Sequence, residues 1–212
     1  MSQQAKYWFE IINSPQSTAI LQAAMDHTAG NLSSMVGRPI TIEVLKVETL
    51  PISQVTTIAG APETETVGIY LMIDGDLTGQ AVLMLLLTEA LCMVDLLMDL
   101  SPGTTTSLED LERSALAEVG NVTLAGFLNE IAKLTGLSAR PSPPMVIIDM
   151  LGAILNVVLT PVAIVSDEVF IVETIFREDN RVMRAHFWVL PEPTVVTFGK
   201  VSVHPITRAK YG

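Results

Sequence analysis

Apolar residues along this chain follow two spacings, one typical of helices and one typical of strands. Helical spacing predicts a first helix over residues 16–36, closed by the Gly-Arg-Pro sequence that begins at Gly37. Alternating and continuous apolar runs then predict strands. These are ITIEVLKV (40–47), VGIYLMI (67–73) and AVLMLLL (81–87), with the turn DGDLTG between the last two.

The most apolar region, residues 81–100, is long enough to suggest a membrane span. A carboxylate near the centre of a bilayer costs about 3 kcal/mol, and this region has three of them. We therefore predict a buried strand followed by a short helix that Thr88 caps. The sequence Pro102-Gly103 comes soon after and should end that helix. The three carboxylates are Glu89, Asp95 and Asp99.

The second half of the chain repeats this order of elements. After the linker SPGTTTS, a second long helix is predicted over about 108–136, with Ser107 and Asp110 spaced as a variant of the capping box. DMLGAILNVV (149–158) predicts a short helix. EVFIVETIF and RVMRAHFWVL, joined by the turn REDN, predict a second hairpin.

This recurrence predicts an internally duplicated chain. An offset of about 99 residues places Gly37 on Gly136 and the first long helix on the second. We expect one α+β domain, residues 1–212, with its two long helices packed on antiparallel β-sheet. It would consist of two pseudo-repeats, about 1–100 and about 101–212.

The second long helix has an unusual polar stripe. On a helical wheel, Ser114, Glu118 and Asn121 lie opposite the apolar face, with the small residues Ala125 and Ala132 further along. Ordinary solvation of an outer face is one interpretation. However, Asn121 and the neighbouring Gly120 are poor helix formers with no evident folding reason, which favours a functional role. The predicted apolar face comprises Leu116, Val119, Thr123, Phe127, Ile131 and Leu134.

The sequence SALAEVGN, followed by Gly136 and Pro144, resembles the signature of the CheC, CheX and FliY family of chemotaxis phosphatases. That signature is an Asp or Ser, three residues, Glu, two residues, Asn, and a Pro some two dozen residues later. The resemblance implies an internally duplicated CheC-like fold. It also implies hydrolysis of the aspartyl phosphate on a CheY-type response regulator.

The same resemblance implies a role for each residue of the stripe. Asn121 would orient the attacking water, and Glu118 would pair with a Lys beside the phosphoryl group of the regulator. Ser114 would support the pair, and the small surface around Ala125 would receive the regulator. The chain itself would bind no cofactor, because the Mg²⁺ is expected on the regulator.

The first half departs from the family pattern. Pro15, Ala19 and Gln22 stand where some relatives have a second active set, so we expect one active face and a first half that acts as scaffold or interface. The alternative is a non-catalytic binding module that docks a response regulator or a CheD-type deamidase.

Composition narrows the remaining classes of function. A formal net charge of -11 disfavours nucleic acid and anionic membranes as partners. A single cysteine, Cys92, excludes an intramolecular disulfide, and the N-terminal sequence has no signal-peptide pattern, so a cytoplasmic protein is expected. His27, His186 and His204 have no metal-ligand spacing, and His204 is expected on a surface strand.

Overall fold

The computed structural model describes residues 17–163 and 167–191, and it confirms the α+β class. Five helices and one antiparallel sheet make up the described part. The helices are α1 (Ser17–Val36), α2 (Ile52–Ala59), α3 (Leu87–Leu97), α4 (Asp110–Thr135) and α5 (Leu151–Ala163). The strands are β1 (Thr41–Pro51), β2 (Glu65–Gly75), β3 (Gly79–Leu86), β4 (Ala139–Pro141), β5 (Met145–Met150), β6 (Glu168–Glu178) and β7 (Arg181–Pro191).

The two halves of the chain exchange strands within the sheet. The order is β1-β6-β7-β3-β2, and both β4 and β5 pair with the outer side of β2. Thus β1 of the first half lies against the hairpin of the second half, and β5 of the second half lies against the hairpin of the first. Neither half has a complete sheet of its own.

Helices cover both faces of the sheet. The long helices α1 and α4 pack together on one face, where α3 joins them. The shorter helices α2 and α5 share a second core on the opposite face, around Trp188. On the long-helix side, Phe127 of α4 meets Phe187 of β7 edge to face, with ring centroids 5.4 Å apart. This arrangement holds α4 on the middle of the molecule.

Two predicted helix starts are wrong. Thr88 lies inside α3, whose N-cap position is Leu86, with no side-chain capping bond. The capping box of α4 uses Glu109 and Glu112 in place of Ser107 and Asp110. The Glu109 N–H donates to the Glu112 carboxylate at 3.0 Å, and the Glu109 side chain takes the capping role predicted for Ser107.

The ends of both long helices agree with the prediction. Gly37 and Gly136 have φ values of 71° and 70°, the left-handed conformation that commonly ends a helix. The strand and helix predicted within residues 81–100 are also confirmed. No helix in the part of the chain that the structure describes is both long and apolar enough to span a membrane.

The short helix of the second half begins later than predicted. Asp149 and Met150 belong to β5 and pair with Thr66 and Glu65 of β2, so α5 starts at Leu151. Strand pairing with a residue far away in the sequence outweighs the local apolar pattern there.

Candidate functional site

The apolar face of α4 fixes how this helix lies on the molecule. Five of the predicted core residues are at most 1% exposed, which confirms that face. The side chain of the sixth, Leu134, is outside the part that the structure describes. The buried residues pack against the sheet in the core that also holds residues of α1 and α3. The buried members are Leu116, Val119, Thr123, Phe127 and Ile131.

Two glycines let α4 approach its neighbours closely. A Cβ atom on Gly120 would lie 2.4 Å from Cγ2 of Ile69 on β2, and one on Gly126 would lie 2.4 Å from Oγ1 of Thr28 on α1. Both distances are far below van der Waals contact. Gly120 therefore has a packing reason, and the expectation that it has none is wrong.

The polar stripe lies on the side of α4 that faces away from this core. Ser114 and Glu118 are exposed, and Asn121 is half-buried. The Ser114 hydroxyl donates to the Asp110 carbonyl one turn earlier, at 2.7 Å. Within residues 17–163 and 167–191, neither the Glu118 carboxylate nor the Asn121 amide is hydrogen-bonded or ion-paired to another residue. Both groups can therefore bind an outside molecule.

The spacing of these two groups determines what they can bind together. Three residues separate them, so they rise roughly 4.5 Å along one side of the helix. The Glu118 carboxylate can accept from a cationic donor, whereas the Asn121 amide can both accept and donate, as needed to hold a water molecule. Ala125 is half-buried one turn beyond and adds no bulk that would block a protein surface.

The corresponding position on α1 is engaged differently. The Gln22 amide nitrogen donates to the Ile42 carbonyl at 2.9 Å and to the Asp26 carboxylate at 2.7 Å. Its oxygen accepts from the Val44 N–H at 3.0 Å. Gln22 thus binds the outer edge of β1, and Ala19 is exposed nearby. Pro15 lies outside the described residues.

The strand beside α4 cannot hold its amide in the same way. The pairing of Ile42 with Phe176 corresponds to that of Pro141 with Ile73, and the residue two places later is Val44 in one half and Pro143 in the other. Proline has no N–H to donate. Pro143 and the signature residue Pro144 lie between β4 and β5, where that strand is interrupted.

A separate cavity of about 310 Å³ is lined by residues of β2, β3, β7, α3 and α5. Its lining includes Glu89, Arg184 and His186 but none of the predicted site residues. Burial raises the pKa of Glu89 and lowers the pKa of His186. Across the described ranges, no three His, Cys, Asp or Glu side chains are grouped to hold a metal ion. His204 lies outside those ranges.

Comparison with known proteins finds a relative that matches most of the chain. The chain is 28% identical over 173 residues to the CheY-P phosphatase CheC of Bacillus subtilis (strain 168), a match that covers 78% of this chain and 81% of that protein. The chain is thus similar to a CheC protein over most of its length. No family model matches it.

Solved structures show that the fold of this chain is shared by other proteins. The crystal structure of Thermotoga maritima FliY has a TM-score of 0.69 at 23% identity, covering 90% of this chain and 91% of that one. The FliM middle domain from Vibrio alginolyticus has a TM-score of 0.61 at 13% identity, covering 84% and 94%. At these identities the likeness concerns the fold alone.

Proposed function

We propose that this protein is a cytoplasmic phosphatase that hydrolyses the aspartyl phosphate of a CheY-type response regulator. The observation that carries the proposal is the unpaired carboxylate and amide of Glu118 and Asn121, side by side on an accessible helix within the described structure. The similarity to a protein named CheY-P phosphatase CheC supports the same substrate.

The chemistry requires little from the protein beyond positioning. An acyl phosphate is reactive, and phosphoryl transfer passes through a loose transition state. In the proposed step, the Asn121 amide holds a water in line with the scissile bond. The water oxygen forms the new bond to phosphorus while the bond from phosphorus to the Asp oxygen breaks. The products are the free carboxylate of the Asp and inorganic phosphate, which retains the two protons of the water. We propose that the Mg²⁺ used in this chemistry is bound by the regulator.

Docking would use the rest of the same helix face. Glu118 is fully available to pair with a Lys of the regulator, a charge-assisted contact that also places the phosphoryl group. The half-buried Ala125 would lie against the regulator surface. Ser114 would support the site from the helix start, where its hydroxyl is held by the Asp110 carbonyl.

The proposed organisation is one domain of two pseudo-repeats, about 1–100 and about 101–212, with catalysis in the second. Strand register supports it. The pairings Thr41–Arg177 and Pro51–Glu168 between β1 and β6 have counterparts in Arg140–Asp74 and Met150–Glu65 at the other edge of the sheet. In the first half, the amide of Gln22 is occupied by β1, which fits a scaffold role.

The decisive experiment separates turnover from binding at Asn121. Asn121→Ala removes an interaction made most fully in the transition state, so its turnover at saturating phosphorylated regulator should fall about 30-fold to 1000-fold, equivalent to about 2–4 kcal/mol. Affinity for the regulator should change little. Glu118→Ala should weaken both affinity and turnover, because its contact holds the complex together.

Stopped-flow measurement of regulator dephosphorylation, at low and at saturating protein, gives both quantities. Wild-type turnover in Asn121→Ala would exclude the mechanism. If the wild-type protein binds the phosphorylated regulator without accelerating its decay, the non-catalytic binding module takes the place of the enzyme.

A further inference from the structure

We propose that Gly120 is a positioning residue for the phosphatase reaction, because its missing side chain sets the depth at which α4 lies on the sheet. The inference rests on the proposed function. Gly120 is adjacent to Asn121 and two residues from Glu118, so any shift of the helix at this point moves both groups. Gly120 itself is buried, so its proposed role is exerted through its two neighbours.

The contact under Gly120 has no room for a methyl group. Besides the 2.4 Å distance to Cγ2 of Ile69, a Cβ atom at Gly120 would lie 3.2 Å from Cβ of Ile69. Neither atom is the far end of a flexible side chain, since Cβ is the branch point of Ile69 and Cγ2 is bonded directly to it. The strain would therefore not be relieved by a small rotation of a long side chain.

Ile69 itself is held in place. It is fully buried on β2, where it pairs with Leu83 of β3 on one side and Val146 of β5 on the other. A strand bonded on both sides in the interior of a sheet resists displacement more than a helix lying on its surface. A side chain at position 120 would therefore displace α4.

A second contact determines how that displacement would occur. Six residues along α4, Gly126 lies against α1, where a Cβ atom would meet the Thr28 hydroxyl and lie 3.3 Å from the Ala24 carbonyl oxygen. This contact, together with the edge-to-face rings of Phe127 and Phe187, fixes the helix near its middle. The N-terminal half of α4 would tilt outward, and it contains the polar stripe.

The test combines Gly120→Ala with a compensating change. Ala is a better helix former than Gly, so the substitution would favour the helix if space were available. A displacement of about 1 Å at a reacting group can cost about 100-fold in rate, so we expect turnover of Gly120→Ala at saturating regulator to fall about 10-fold to 100-fold, with little change in KM. In the double variant Gly120→Ala, Ile69→Ala, the space reopens and turnover should return to within about threefold of wild type.

Ile69→Ala alone is the matched control, because it creates a cavity without pushing the helix. Its melting temperature should fall while its turnover stays within about threefold of wild type. Loss of turnover that follows melting temperature across the three variants would overturn the positioning role, since a purely structural effect behaves that way. Unchanged turnover in Gly120→Ala would overturn it as well, while leaving the phosphatase proposal intact. A wild-type protein without phosphatase activity would overturn both.

Discussion

At the scale of single residues, the side-chain amides of the two long helices differ in whether the protein itself occupies them. Gln22 and Asn121 each end in an amide and occupy corresponding positions under the offset of about 99 residues. Gln22 directs its nitrogen and oxygen to the backbone of β1, the edge strand of the sheet within the described residues. Asn121 is one methylene shorter, and the interrupted strand that contacts its helix has a proline at the matching place, which has no N–H to donate.

We predict that Gln22 matters for stability and has no part in turnover. Gln22→Ala removes two bonds to β1 and leaves those backbone groups without their partner, which should lower the free energy of unfolding by about 1–3 kcal/mol. Turnover by the folded protein should equal that of wild type. Urea unfolding and dephosphorylation assays measure the two effects.

The exposed Ser34 of the same helix provides the control for that experiment. Among the described residues its hydroxyl bonds only to the Gly30 carbonyl one turn earlier, so Ser34→Ala should change stability by less than about 0.5 kcal/mol. A tenfold loss of turnover in Gln22→Ala, with the protein still folded, would show that the first half contributes to catalysis.

How much of the site the sequence could reveal depends on where each residue finds its partner. The stripe of Ser114, Glu118 and Asn121 follows from helical spacing alone, so it could be placed in advance. The contact of Gly120 with Ile69 could not, because Ile69 is on a strand about fifty residues away in the sequence and nothing local indicates that they meet. Packing between distant elements is the information that a single sequence lacks.

At the scale of elements, α4 packs on the sheet with one side and leaves the side with the polar stripe accessible. We predict that Ala125→Arg weakens binding of the phosphorylated regulator at least tenfold, equivalent to about 1.4 kcal/mol or more, because a bulky side chain separates the two surfaces. Titration monitored by fluorescence anisotropy gives the affinity. Leu116 and Phe127, on the buried face, are undisturbed by this change.

A control for docking lies on the opposite side of the sheet. Val157 of α5 is 62% exposed, so Val157→Arg adds the same charge and bulk at a distance from the proposed surface. It should leave the affinity unchanged. Equal affinity losses in the two variants would point to a general effect of charge and would remove α4 from the docking surface.

The connection between α3 and α4 depends on one buried carboxylate. Asp95 is 1% exposed and accepts from the Gly103 N–H at 2.7 Å and from the N–H and hydroxyl of Thr105 at 2.8 and 2.6 Å. Burial by itself raises the pKa of Asp95, but the hydrogen bonds from Thr105, Gly103 and Thr104 outweigh it and bring the pKa below its ordinary value. The ionised form is therefore favoured in the folded protein.

This depressed pKa predicts a definite pH dependence of stability. A group whose pKa is lower in the folded state stabilises the protein above its unfolded pKa, and that stability is lost as the pH falls through the folded pKa. Asp95→Asn should lower the free energy of unfolding by about 1–3 kcal/mol near neutral pH. The difference between variant and wild type should shrink below about pH 4. Urea unfolding at a series of pH values measures it, and a difference that does not change with pH would contradict the assignment.

Helix and strand identities were more predictable than helix starts, and Thr88 and Ser107 show why. Several residues near each start could cap, and the choice depends on how the preceding segment is held. Asp95 holds the segment around Gly103 and Thr105, and the helix then begins at Asp110 with the acidic pair Glu109 and Glu112 as its capping box. Hydrogen bonds of this kind join different elements, so the residues around a helix start do not indicate them.

At the scale of the whole molecule, the exchange of strands means that the sheet forms only when both halves of the chain are present. β6 and β7 separate β1 from β3, and β2 and β3 separate β7 from β5. The order of elements within each half could be predicted from periodicity. The exchange could not, because periodicity shows which residues form strands and says nothing of which strands pair.

The pairing of β1 with β6 also has a consequence for synthesis on the ribosome. Arg177 of β6 lies 134 residues after Glu43 of β1, with which it forms an ion pair, so the first strand emerges long before its neighbour exists. Translation at about 5–20 residues per second leaves that strand without its β6 partner for about 7 to 27 seconds. Contacts so distant in sequence also slow folding after release. Until the last hairpin has been made, α1 is the neighbour that can cover β1, through contacts that include the bonds of Gln22.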